Sequence, residues 1–206
     1  MSTVGTKAEK ARPFYMDMSL WALIGSNLAV IAWALLERWP LSPLMWIYWC
    51  QSCIIGIFWF FKMLGLNEFS TKDFKINDRS VAPTQSTKVQ TAVFFLVHYG
   101  FFHLGYFTFL ATEHKVQSVF NLLTAAGIFF FYQGYSFFYN QKWLISTKPN
   151  IGKMMFFPYA RIIPMHLTII FASTAWGQRQ SLALFLLLKL AADVIMHIVE
   201  QKGFSD

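Results

Sequence analysis

Six apolar stretches divide this chain, at about residues 19–36, 42–64, 89–111, 117–139, 155–175 and 180–201. Each is close to the roughly 20 residues that a helix needs to cross a bilayer core. Lipid offers no water to a bare backbone N–H or C=O, so a spanning segment must be a helix or part of a closed barrel. Barrel strands need only about 9–11 residues, and these stretches are far longer. The spacing therefore predicts an all-α fold, a polytopic membrane bundle of six transmembrane helices. Its expected limits are a polar tail at 1–18, the helical domain at 19–202 and a short tail at 203–206. Composition agrees: 56% of the residues are hydrophobic and 13% charged. A soluble chain this small has too much surface to hide such an excess.

The connections set the direction of the spans. Short turns, "ERWPLS", "TEHKV" and "WGQR", join spans 1–2, 3–4 and 5–6, while longer polar loops join spans 2–3 and 4–5. With six spans, both termini and both long loops share one side. That side holds thirteen Lys and Arg residues, the other only Arg38, Lys115 and Arg179, and Lys189 lies within the last span. Lys and Arg accumulate on the cytoplasmic side, so both termini are expected there, in a multi-pass protein of the inner (cytoplasmic) membrane. The net charge of +7 reads as attraction to anionic membrane lipids, and no basic run with interleaved aromatics points to nucleic acid. "ERWPLSP" after the first stretch is no small-residue cleavage site, so that stretch is expected to remain as a span.

Direction converts sequence position into depth. His98, His166 and Asp193, on three different spans, come about 12–16 Å from the cytoplasmic boundary at ~1.5 Å rise per residue, and His197 is shallower. Ser26, Asn27, Gln133 and Ser136 fall at similar depth. On the last span, Lys189, Asp193, His197 and Glu200 share one helix face. His103 follows His98 by five residues, a rotation of about 140°, so the two do not share a face. Ionisable groups in a membrane are costly and mark functional sites. Cys50 and Cys53 form a lone CxxC, which reads as two small membrane-helix residues.

Imidazole and carboxylate are metal ligands. His98, His166, Asp193 and His197 are the expected ligands of one divalent metal, with Zn first and Fe or Cu as alternatives. A b-type haem between His98 and His166 is less favoured. Glu200 is the candidate catalytic base. His103, Arg161, Lys189, Gln133 and Ser136 are candidates to orient ligands or bind substrate, and Arg161 suits an anionic head group. The expected function is metal-dependent hydrolysis of a lipid-like amide or ester, since a bound metal activates water. The alternatives are a non-catalytic membrane subunit of a redox or pigment complex and a proton-coupled transporter. Matching halves with broken helices, frequent in transporters, are absent from the sequence.

The stretches "FFLVHYGFFHLGY", "PYARIIPMHLTII" and "LKLAADVIMHIVEQ" together resemble a family of small six-span bacterial and archaeal membrane proteins without an assigned function. The resemblance covers about residues 40–202 and implies a membrane location and no activity. A looser similarity is to the membrane hydrolase superfamily of alkaline ceramidases and adiponectin receptors. It implies zinc held by side chains from several spans. This chain departs from it in having six expected spans rather than seven, and Asp193 and His197 in place of a terminal His pair.

Overall fold

The computed structural model describes residues 21, 24, 25, 28, 31, 32, 34–38, 40–114, 116, 118–146, 148–172 and 178–202. Those between 21 and 36 are helical, with Ile31 and Ala34 buried. Helices α1 (Leu41–Leu64), α2 (Gln85–Glu113) and α3 (Val119–Ser146) follow. Then come a short α4 (Ile151–Phe156), a 3-10 turn (Phe157–Arg161), α5 (Ile162–Ala172) and α6 (Gln178–Lys202). The all-helical expectation holds, apart from a small hairpin between α1 and α2.

Among the described residues two helices, α1 and α2, are long and apolar enough to cross a membrane. The other expected spans differ for identifiable reasons. α3 is long enough but carries Asn121, Gln133, Asn140, Gln141 and Lys142, which lower its mean hydropathy. α6 carries Arg179, Lys189, Asp193, Glu200 and Lys202. The 155–175 stretch is not one helix: it divides among α4, the 3-10 turn and α5. Pro158 and Pro164 lack the N–H that an unbroken ladder requires. Thr168, fully buried, donates its hydroxyl to the Pro164 carbonyl at 2.7 Å.

α1 packs against α2 and α3, and α5 packs against α6. On α1 the buried residues Leu41, Met45, Tyr48, Ser52, Ile55 and Trp59 recur every three or four positions; Ser52 meets α2, while Tyr48 packs on Phe185 of α6 and Trp59 on Phe157. On α2 the stripe is Phe95, Tyr99, His103, Tyr106 and Leu110. Away from these stripes the surface is still apolar. Phe101 and Val97 of α2 and Phe120, Phe131 and Phe138 of α3 are all more than half exposed.

The two long connections fold onto each other. Ser70 N donates to Pro149 O at 2.9 Å and Ile151 N to Ser70 O at 3.0 Å. Asn150 caps α4, accepting from the Gly152 and Lys153 amides at 3.0 and 3.2 Å, and its amide donates to the Lys72 carbonyl at 2.9 Å. Both connections therefore lie at one end of the bundle. The hairpin pairs β1 (Lys75–Ile76) with β2 (Arg79–Ser80). Its turn residues Asn77 and Asp78 have φ of 51° and 60°, the left-handed conformation that tight two-residue hairpins favour. At the other end, Trp46 Nε1 donates to the His114 carbonyl at 2.8 Å.

The seam between α1 and α2 depends on Gly56. A Cβ there would sit 2.6 Å from Cε1 and 2.9 Å from Cδ1 of the Tyr99 ring. Gly56→Val should therefore push the helices apart and destabilise the fold by about 1–3 kcal/mol, the usual range for overpacking. Thermal unfolding in detergent, compared with Gly100→Ala, where a Cβ meets open space, measures this.

Candidate functional site

Arg161 ends the 3-10 turn and reaches α6. Its Nη2 lies 3.7 Å from Asp193 Oδ1. Lys189, one turn earlier on α6, donates to Asp193 Oδ2. Both Arg161 and Asp193 are well shielded, their side chains 12% and 13% exposed. Two cations thus share one carboxylate. The tight contact belongs to Lys189, so most of the uncompensated positive charge rests on Arg161. Arg161 Nε and Nη1 are buried with no hydrogen-bond partner among the described residues, and so is the Tyr48 hydroxyl. The guanidinium carbon is 5.9 Å from the centroid of the Tyr48 ring. A buried donor without a partner costs about 1–3 kcal/mol, more when charged. Two of these groups belong to the Arg161 cation itself, and the third is on the tyrosine whose ring it faces.

The histidines are distributed differently from expectation. His103 takes the buried position on α2, and His98, one step off the buried stripe, is exposed. His98 Nδ1 is 2.8 Å from the Tyr159 hydroxyl, between the rings of Phe94 and Phe102. His166 is also exposed, on α5, with Nδ1 3.3 Å from the Tyr106 hydroxyl. Each imidazole is held by its own tyrosine, and Asp193 is held by two cations. Among the described residues no three His, Cys, Asp or Glu side chains gather as a metal site. The His98, His166 and Asp193 part of the expected ligand set is therefore not assembled. His197 and Glu200 are on α6 and Ser136 on α3, with side chains outside the described residues. Gln133 is half-buried on α3, and Ser26 and Asn27 lie outside the described residues. Cys50 and Cys53 are free thiols.

Sequence reasoning missed Ser52 and the tyrosines. His103 Nδ1 is 2.8 Å from the Tyr99 carbonyl, which can only accept, so Nδ1 carries the proton. Nε2 then accepts from the Ser52 hydroxyl at 2.9 Å. The Tyr99 hydroxyl is 2.7 Å from Ser52 Oγ and donates to the Ser52 main-chain carbonyl at 3.2 Å. All three side chains are buried. The "CQSC" motif drew attention to its cysteines, whereas the serine between them meets the histidine.

At the end of the bundle near His114, an apolar groove of about 530 Å³ opens, lined by Trp46, Trp49, Phe107, Ala111, His114 and Leu122 among others. Burial holds the His114 imidazole below its ordinary value, while Glu113 pulls it upward. A depressed histidine favours the folded state above the ordinary imidazole value of about 6.5, and that contribution is lost as pH falls through the lower folded value. Melting temperatures measured between about pH 8 and pH 5 should fall less steeply in His114→Gln than in the unaltered protein.

No curated protein and no solved structure matches the chain. One family model does, over residues 9–205. That range contains all six helices, Arg161, Asp193, Lys189 and every histidine discussed above. Its description states no activity. The chain belongs to that family, described as Family of unknown function (DUF6498).

Proposed function

We propose that this chain is a multi-pass protein of the cytoplasmic membrane that binds a monoanionic, lipid-like molecule at Arg161. The observation that carries the reading is the pair of buried Arg161 nitrogens without a partner. Arg161, Lys189 and Asp193 sum to one positive charge, which one carboxylate or phosphodiester neutralises. A guanidinium fork matches either anion in two-point contact, and the Tyr48 hydroxyl adds a third donor. The membrane setting is supported by α1 and α2, by the apolar outer faces of α2 and α3, and by the excess of Lys and Arg on one side.

Two experiments test it. Native mass spectrometry in detergent, with oleate, phosphatidylglycerol or phosphatidylcholine added, should show one retained equivalent of the first or second and none of the third. Arg161→Gln should weaken that binding about 10- to 100-fold, the worth of a charged hydrogen bond, and Arg161→Lys should recover part of it. Equal retention by Arg161→Gln would remove the site. For topology, single cysteines in a Cys50→Ser/Cys53→Ser background decide. Lys75→Cys should react with an impermeant maleimide only from the cytoplasmic side and Glu113→Cys only from outside.

A further inference from the structure

Ser52, His103 and Tyr99 stand in a relation that helix packing alone does not require. The hydroxyl is 2.9 Å from a ring nitrogen whose partner nitrogen is held by the Tyr99 carbonyl. This is the tautomer that a general base needs. The Tyr99 hydroxyl is 2.7 Å from the same oxygen and donates to the Ser52 main-chain carbonyl at 3.2 Å. The groove approaches this trio. Trp49 comes three residues before Ser52 on α1 and Phe107 four residues after His103 on α2, so two groove residues stand about one helical turn along from the trio. Trp49 and Phe107, with ring centroids 5.6 Å apart, line the groove there. Trp49 also donates to the His103 carbonyl at 2.9 Å.

We propose that Ser52 is the nucleophile of an acyl transfer from a long-chain ester, with His103 as its base and Tyr99 as donor to the oxyanion. The acyl chain occupies the Trp46–Phe107 groove. Ser52 Oγ attacks the ester carbonyl as its proton passes to His103 Nε2. The Tyr99 O–H turns from the Ser52 main-chain carbonyl to the developing oxyanion. Collapse breaks the ester C–O bond, and the proton on Nε2 leaves with the alcohol. Water, giving its proton to His103, then attacks the acyl-serine and releases the fatty acid, with the proton returned to Ser52.

The test uses the full chain in detergent with a long-chain alkyl fluorophosphonate, which phosphonylates an activated serine and expels fluoride. Intact mass and peptide mapping should show one adduct, on Ser52, absent in Ser52→Ala. His103→Gln should slow labelling about 100-fold or more, the share of a general base, and Tyr99→Phe about 100-fold, the share of an oxyanion donor. Melting curves on both variants separate lost reactivity from lost folding. A clasp between helices would change only the melting curves. An unlabelled Ser52 in the unaltered protein, or a folded His103→Gln that labels as fast, overturns the proposal.

Discussion

Gly56 has no side chain, and the Tyr99 ring occupies the room this leaves. That close approach sets how α1 and α2 meet, and much of the polar chemistry follows from it. With Tyr99 over Gly56, α2 turns its Phe95–Tyr99–His103–Tyr106 stripe toward α1. Ser52, one turn before Gly56, then meets both the Tyr99 hydroxyl and His103. A larger residue at 56 would lift the ring, and both of these hydrogen bonds would lengthen together. Inter-helix hydrogen bonds of this kind contribute only about 0.6–2 kcal/mol each in membranes. Close backbone packing is what holds them in register.

The charged centre depends on a different device, the interruption of the 155–175 stretch. A continuous helix would carry Arg161 past α6 on a fixed pitch. The 3-10 turn beginning at Phe157, stacked on Trp59 at 4.9 Å, instead delivers Arg161 between Tyr48 and Asp193. Lys189 and Asp193 are four residues apart on one helix and satisfy each other locally. Arg161 arrives from outside that pair, so the surplus charge falls on it.

Much of this was legible in the chain. The helical class, most helix positions, the common end of the two long loops and the Lys189–Asp193 pair follow from period, length and charge. The 140° between His98 and His103 also showed that one of them must face away from any site that holds the other. Which one was not legible, because α2 is apolar on all faces and its sequence does not mark an inner side. The hairpin went unseen because only two residues pair on each strand. The break at Arg161 was signalled by Pro158 and Pro164, but not the direction in which it sends the side chain.

Sequence by itself determined that this chain is helical and strongly apolar, that it carries a net charge of +7, and that a few ionisable residues lie within apolar segments. These are properties of local composition and period. Tertiary structure alone decided that His103 and not His98 is buried, that Ser52 is its partner, and that Arg161 keeps two donors unpaired beside Asp193. The reason is rotational: each helix turns about 100° per residue, and only close contacts between helices, such as Tyr99 on Gly56, decide which face of an all-apolar helix becomes the inner one.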